Sequence, residues 1–299
     1  MNDTLTLPAA TAIAAAVPER SPGFWHGVLK KLARDPVALG AGALLLVLVL
    51  LAVFGPWLAP ADPYQAAMLK RLKPIGFDGF PLGTDELGRD MLSRLMVGTR
   101  LSLFMGIAPV LIAFVLGSGI GIFAGYAGGV ANTLIMRTID VLYAFPSVLL
   151  AIALSGALGA GIGNALLSLT IVFIPQIARV AESVTTEVRS RDYVEAARAS
   201  GAGAFTIVRV HVLGNVLGPI FVYATSLIAV SMILASGLSF LGLGVKPPEP
   251  EWGLMLNTLR TAIYTQPLVA ALPGVMIFVT SISFNLLSDS LRSAMDVKG

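Results

Sequence analysis

The 299-residue chain contains no cysteine and only two histidines. Without a thiol it forms no disulfide, iron–sulfur cluster or thiolate nucleophile. The histidines, His26 and His211, lie far apart in the sequence and belong to no H-E-x-x-H pattern, so a catalytic metal is not expected. The G-x-S-x-G turn that presents a nucleophilic serine is also absent, which argues against a membrane hydrolase.

Two further absences concern the source of energy. The sequence has no G-x-x-x-x-G-K-[ST] loop, so the chain is not expected to bind ATP or any other cofactor itself. Ionisable residues are nearly absent from its apolar segments, whereas a proton-coupled carrier needs a buried series of acids or histidines. Asp140, at the edge of one such segment, is expected to be an interfacial or capping carboxylate. Any driving energy must therefore come from elsewhere.

The composition is that of an integral membrane protein. Hydrophobic residues make up 56% of the chain and charged residues 12%, and the mean hydropathy is +0.84. The net charge of +3 is scattered, so nucleic-acid binding is not indicated. A spanning helix needs roughly 20 apolar residues, and six segments qualify. They are residues 37–58, 101–126, 139–158, 164–178, 216–241 and 268–287, which predicts an all-α membrane protein with six transmembrane helices.

The basic residues indicate how these spans are oriented. With both ends of the chain in the cytoplasm, the cytoplasmic segments carry 12 Lys and Arg and the external segments carry 8. The chain is then expected to comprise a cytoplasmic tail, a first span, an extracytoplasmic loop rich in charges of both signs, a core of five helices and a second cytoplasmic tail. The respective ranges are 1–36, 37–58, 59–96, 97–288 and 289–299.

Two periodic patterns lie within the spans. Ala113, Gly117, Gly121 and Gly125 recur every four residues, which predicts one helix face narrow enough for close helix packing. In the last span Ser281, Asn285 and Ser288 share one helical face, continued by Arg292. That polar face could line a solute pathway, or it could supply hydrogen bonds between helices near the cytoplasmic end.

A charged stretch at residues 189–218 interrupts the apolar segments. Asp192 is expected to cap a short helix over residues 193–200, and Gly201 to end it in a left-handed conformation. The alanines of this helix keep it slim, while Glu195 and Arg198 place opposite charges on its exposed side. A second short helix is expected at residues 206–213. The stretch is predicted to be a docking surface for another protein, with an ordinary amphipathic connector as the alternative.

The same stretch carries a family resemblance. Glu195-Ala196-Ala197, with Gly201 six residues after the glutamate and Leu213 eighteen after it, resembles the EAA loop of permease subunits of bacterial ABC importers. Gly214 stands where that family usually has proline, so the end of the second helix is less firmly defined. In the family this loop docks on a cytoplasmic ATPase. The docking residues implied here are Asp192, Tyr193, Glu195, Ala196, Ala197, Arg198 and Gly201.

Four more stretches resemble the second permease subunit of dipeptide, oligopeptide and nickel importers. They are residues 81–90 (PLGTDELGRD), 140–146 (DVLYAFP), 238–252 and 284–296. In the first, Thr84 and Asp90 are expected to be helix N-caps; Pro146 is expected to kink the third span, prolines 247, 248 and 250 to stop the fifth, and Trp252 to lie at headgroup level. The family-signature residues of the external loop are Gly83, Thr84, Asp85, Gly88, Arg89 and Asp90.

The resemblance implies a type I ABC importer transmembrane domain and a transport subunit, with the EAA coupling loop inside the core. Its partners would be a second homologous permease, one or two ABC ATPase subunits that bind the ATP and Mg, an extracytoplasmic solute-binding protein and membrane lipids. The protein would be located in a bacterial inner membrane. Di- or oligopeptides are the expected cargo, with nickel chelates, glutathione or another small solute as alternatives. A stand-alone carrier or channel is the competing hypothesis.

Overall fold

The computed structural model describes residues 24–295, so most of the predicted first tail and the last four residues of the second lie outside it. Within the described range the regular elements are helices, apart from two isolated β-bridges. Short 3-10 helices cover Met68–Lys70 and Arg260–Tyr264, and a π-helical turn covers Val208–Val212. The α-helices are α1 Phe24–Leu32, α2 Pro36–Leu58, α3 Met91–Ala127, α4 Gly129–Tyr143, α5 Ser147–Leu158, α6 Ile162–Arg189, α7 Asp192–Ala199, α8 Ala204–Ile207, α9 Leu213–Phe240, α10 Trp252–Thr258 and α11 Pro267–Met295.

Five helical segments are long and apolar enough to cross a membrane: α2, α3, α6, the continuous α8–α9 helix and α11. The pair α4 and α5 makes a sixth span if it is counted as one, although its helices are bent by 84°. The all-helical prediction is confirmed. The third span differs from the predicted single kinked helix, because Pro146 has no backbone N–H and disfavours helical backbone at the residue before it.

Residues 127–138, which separate the second and third predicted spans, are also mostly helical. A single residue, Gly128 with φ of +66°, separates α3 from α4. Both α3 and α6 extend well beyond their predicted spans, to Met91 at one end and Arg189 at the other. Apolar runs mark only the part of a helix that crosses lipid, whereas backbone hydrogen bonding continues through the polar turns on either side.

The small-residue face of α3 packs closely on α6. A methyl group built at Gly121 would lie 2.3 Å from the carbonyl oxygen of Ala178, and methyl groups at Gly117 and Gly125 would lie 2.9 and 2.7 Å from other carbonyl oxygens of α6. Ala113 is fully buried on the same face. The prediction of close helix packing is confirmed, since only glycine leaves room for the two backbones at these positions.

The loop that follows α9 packs against the first part of α3. Gly242, with φ of +79°, ends α9 well before the prolines that were predicted to stop it, and the N–H of Leu243 donates to the carbonyl of Leu238 at 2.8 Å. Trp252 was expected at the membrane surface, but it is fully buried within the protein, so its ring does not contact lipid head groups. Its indole N–H donates to the carbonyl of Leu95 on α3 at 3.1 Å, so the tryptophan fastens this loop to the start of α3.

Candidate functional site

The short helix α7 lies at one end of the bundle, between α6 and α8. Its N-cap is Arg191, which has extended backbone, and Asp192 is the first helical residue. The prediction that Asp192 caps the helix is therefore wrong by one position. The Arg191 carbonyl accepts from the N–H groups of Val194 and Glu195 at 2.9 and 3.2 Å. Asp192 and Glu195 both lie in the first turn, where negative charge favours the helix dipole.

Gly201 ends α7 as predicted. Its φ is +83°, a left-handed conformation that glycine adopts without strain. Its N–H donates to the carbonyl of Arg198 at 3.0 Å, and the N–H of Ala202 donates to that of Ala197 at 3.1 Å. A methyl group built at Gly201 would meet nothing within 4 Å, so the position opens away from the described part of the molecule.

Val194 anchors α7 to the helices beneath it. It is fully buried and belongs to the same apolar cluster as Val188 on α6, Ile207 on α8 and Val212 in the π-helical turn. The ring of Tyr193 lies 6.3 Å from that of His211 and supports the same junction. The buried side chain of α7 thus lies in one apolar cluster with residues of the elements before and after it.

The outward face of α7 is polar and small. Asp192, Glu195, Ala196 and Arg198 are exposed, while Ala197 is half-buried. Among the described residues, Glu195 and Arg198 form no ion pair, which leaves both charges available to a partner. The next predicted helix does not end near Gly214, because glycine, unlike proline, keeps the N–H that continues α8 through the π-helical turn into α9.

Two exposed apolar side chains beside α7 were missed by the sequence reasoning. Phe205 on α8 is 77% exposed, and Val210 in the π-helical turn is 61% exposed. Ile207 and Val212, two residues after each of them, are buried. All four side chains are apolar, so the sequence alone did not show which of them face outward. The exposed pair adds apolar contact area next to the polar face of α7.

At the opposite end, the signature residues of the external loop form a buried ionic network. Asp85 is only 1% exposed, and its Oδ2 lies 2.6 Å from Nε of Arg89 and 3.2 Å from Nε of Arg94. Its Oδ1 accepts from the N–H groups of Leu87 and Arg89, both at 2.9 Å. Arg89 forms a second ion pair, in which its Nη2 lies 2.8 Å from Oε1 of Glu86. These contacts hold the loop together, which is a structural task.

The other signature residues also belong to this folded loop, residues 59–90, which is called the external cap below. Gly83 and Gly88 each have φ of +77°, and a methyl group at Gly88 would lie 2.0 Å from the carbonyl oxygen of Ala67. Asp90 caps α3 as predicted, accepting from the N–H of Ser93 at 2.9 Å. Thr84 is not a helix cap. It pairs with Asp90 in an isolated β-bridge, and its side-chain oxygen accepts from the N–H of Lys73 at 2.8 Å.

Glu251 is a buried acid that the sequence reasoning also missed. Its two carboxylate oxygens accept from the N–H groups of Gly253 and Leu254, both at 2.8 Å, and so cap α10. Burial raises the pKa of Glu251, and these two hydrogen bonds oppose the rise. The carboxylate therefore serves the fold of the external loop.

The structure separates the predicted polar face of α11. Ser288 is buried and its hydroxyl lies 3.1 Å from that of Thr225 on α9, as expected for hydrogen bonding between helices. Ser281 is also buried, whereas Asn285 is exposed. Asp140 lies within α4, where it does not cap the helix, and forms an ion pair with Arg179 of α6. In the described range, no group of three acidic or histidine side chains is placed to hold a metal ion.

A bundle of long apolar helices, with an anchored and exposed short helix at one end and a folded cap at the other, has the architecture of a transporter's membrane subunit. The chain belongs to the family of binding-protein-dependent transport system inner membrane components, whose model matches residues 117–297. A second model, the N-terminal transmembrane domain of oligopeptide transport permease C, matches residues 23–74.

Curated relatives cover nearly the whole chain. The chain is 41% identical over 274 residues to the glutathione transport system permease protein GsiD of Pectobacterium atrosepticum, covering 92% of this chain and 91% of the relative. It is also 41% identical over 280 residues to the di/tripeptide transport system permease protein DppC of Pseudomonas aeruginosa, with the same coverage. These relatives confirm the resemblance to the second permease of peptide importers.

A solved structure of the MetNI methionine ABC transporter, in an inward-facing conformation, shares the fold. The TM-score is 0.56 at 20% sequence identity, and the match covers 68% of this chain and 97% of the solved chain. Together with the family, this likeness confirms a type I importer transmembrane domain. The chain is a multi-pass inner-membrane permease subunit of a binding-protein-dependent ABC importer. It is a transport subunit that works with ATPase subunits, and not an enzyme.

Proposed function

We propose that α7 is the surface on which an ATPase subunit of this importer docks, through Asp192, Tyr193, Glu195, Ala196, Ala197, Arg198 and Gly201. The observation that carries the proposal is the burial of Val194 beneath a small, polar, exposed helix face. Because one side of α7 is packed against its neighbours and the other side is exposed, a partner that moves the exposed side can move those neighbours as well. The partner ATPases supply the ATP and Mg sites, and this chain binds no cofactor.

The coupling runs from α7 into two long helices. Closure of the ATPases moves α7, and α7 carries the ends of α6 and of the α8–α9 helix with it, since Val194 packs in one cluster with Val188, Ile207 and Val212. These helices pack on α3 in the centre of the bundle. Their movement opens the pathway alternately to each side of the membrane. The pathway lies between this chain and a second, homologous permease, with Ser281, Asn285 and Ser288 as candidate lining residues.

The external cap faces a solute-binding protein that delivers the cargo. Both ends of the chain lie in the cytoplasm in this arrangement, in agreement with the excess of basic residues on that side. The cap and α7 lie at opposite ends of α3 and α6, so one end of the chain serves delivery and the other serves energy input.

The cargo is a short peptide. The two relatives described above are named for glutathione and for di- and tripeptides, and they are equally similar to this chain. A nickel chelate or another small solute is the alternative. In vesicles containing the complete importer and its binding protein, unlabelled di- and tripeptides are expected to compete with the uptake of a labelled dipeptide at least about tenfold better than a nickel chelate. Equal competition by the chelate would remove the peptide assignment.

Charge reversal at Glu195 tests the docking surface. Glu195→Lys places a cation in the first turn of α7, where the helix dipole disfavours it, and removes a carboxylate from the outer face. We expect uptake to fall several-fold, with normal membrane insertion and with less ATPase recovered when the chain is purified. Asp289→Lys is the matched control, since Asp289 is exposed near the end of α11, outside both the proposed docking residues and the external cap. Normal uptake by Glu195→Lys at normal protein levels would contradict docking at α7.

A further inference from the structure

An apolar groove of about 580 Å³ opens at the end of the bundle opposite α7, between α9, α10 and α11. Its lining includes Phe240 at the end of α9, Leu256 on α10, Ile263 in the 3-10 helix that follows, and Gly274 and Phe278 on α11. Ligand sites in proteins typically have volumes of about 300–1,000 Å³. The groove therefore has room for a ligand or for part of one.

The groove runs along the outer half of α11. Pro267, Ala270, Gly274 and Phe278 recur on one face of that helix and line it from end to end. At a rise of 1.5 Å per residue, this face is about 16 Å long. The hydrocarbon core of a bilayer is about 30 Å thick, so the groove matches the depth of one leaflet.

Small residues keep the floor of the groove open. A methyl group at Gly274 would lie 3.7 Å from Cδ2 of Leu256, which is ordinary contact, so a larger side chain there would extend into the groove. The walls remain accessible, with Ile263 56% and Phe278 65% exposed. In a membrane such a surface must be covered by another apolar chain.

The one charged residue in the groove lining is Arg260. It is exposed, and within the described part of the chain its guanidinium forms no ion pair. It begins the 3-10 helix, seven residues before the first residue of α11, which is long and apolar enough to cross a membrane. The apolar walls of the groove, which are as long as one leaflet is deep, match an acyl chain. The unpaired Arg260 at the end of the groove matches an anionic head group on that chain.

We propose that the groove binds an anionic phospholipid of the leaflet opposite α7, with one acyl chain along α11 and the phosphate at Arg260. A zwitterionic lipid fits the same walls but lacks the net charge that Arg260 selects. Each cation close to an anionic lipid surface contributes about 1 kcal/mol, or about a five-fold preference.

The test uses the complete importer in bilayer discs that contain equal amounts of phosphatidylglycerol and phosphatidylcholine. After transfer to mild detergent, the lipids retained by the complex are counted by mass spectrometry. We expect the unaltered complex to retain phosphatidylglycerol about five-fold over phosphatidylcholine. Arg260→Gln should lose this preference and still bind lipid. Gly274→Leu should fill the groove and reduce retention of both lipids severalfold.

Two matched variants serve as controls. Gly119→Leu makes the same change on an exposed face of α3, where a methyl group meets nothing within 4 Å, and Arg71→Gln removes an exposed cation from the external cap. Both should retain lipid as the unaltered complex does. If Arg260→Gln and Arg71→Gln retained phosphatidylglycerol over phosphatidylcholine with the same preference, the proposal would be overturned. So would loss of the second permease from Gly274→Leu with unchanged lipid retention, because the groove would then be a contact between permeases.

Discussion

Replacement of Gly201 by Asp is expected to lower uptake by at least about tenfold while the chain still folds and inserts. The backbone tolerates the change, because Asp adopts left-handed φ more readily than most residues and a methyl group here meets nothing within 4 Å. The new carboxylate therefore acts on whatever docks beside α7. A tenfold effect corresponds to about 1.4 kcal/mol, which one badly placed charge at an interface readily supplies.

Two measurements distinguish loss of coupling from loss of protein. Uptake and solute-stimulated ATP hydrolysis are measured in vesicles that contain equal amounts of each variant complex. Gly201→Asn is the matched control, since Asn has nearly the same shape and an equal tolerance of left-handed φ but no charge. We expect it to retain more coupling than Gly201→Asp. Unchanged uptake and stimulation in the aspartate variant would remove Gly201 from the docking surface.

Loss of Asp85 is expected to have the largest effect on stability. Asp85→Ala leaves the guanidinium groups of Arg89 and Arg94 buried without the carboxylate they share. Breaking a buried ion pair by removing one partner typically costs about 3–5 kcal/mol. The glycines of the cap cannot relieve this cost, because their backbone is already held against the main chain of the loop.

The effect is measured as the midpoint of thermal unfolding of the purified complex in detergent. Asp78→Ala is the control, because Asp78 lies in the same external cap but is exposed. We expect a fall of several degrees for Asp85→Ala and no change for Asp78→Ala. Equal midpoints for the two variants would show that the buried network does not stabilise the cap.

The spans and the docking helix could be predicted from local signals. Apolar runs identified α2 almost to the residue, since its first residue, Pro36, is one position before the predicted start. Gly201 was recognisable because the left-handed end of a helix selects glycine. The small-residue face of α3 predicted close packing, although it did not identify α6 as the neighbour.

The errors concern residues whose environment depends on distant parts of the chain. Trp252 has an amphipathic side chain that suits the membrane surface, and its burial depends on the carbonyl of Leu95, 157 residues away. Thr84 is a good helix cap by type, but in the structure its oxygen is engaged by Lys73 within the loop. The degree of the bend at Pro146 depends on how α4 and α5 pack, and proline alone sets only its position.

The sequence by itself therefore determined the membrane class, the approximate positions of the spanning helices other than the bent third one, the exposed short helix and the dependence on an external ATPase. Each of these rests on hydropathy, backbone preference or a motif read along a few neighbouring residues. Only the tertiary structure decided which polar residues are buried, how Asp85 joins two arginines, and where α10 and α11 leave a groove beneath Arg260. The groove and most of the burial arise from contacts between segments far apart in the chain, and the Asp85 network depends on how its own loop folds against α3, neither of which local patterns encode.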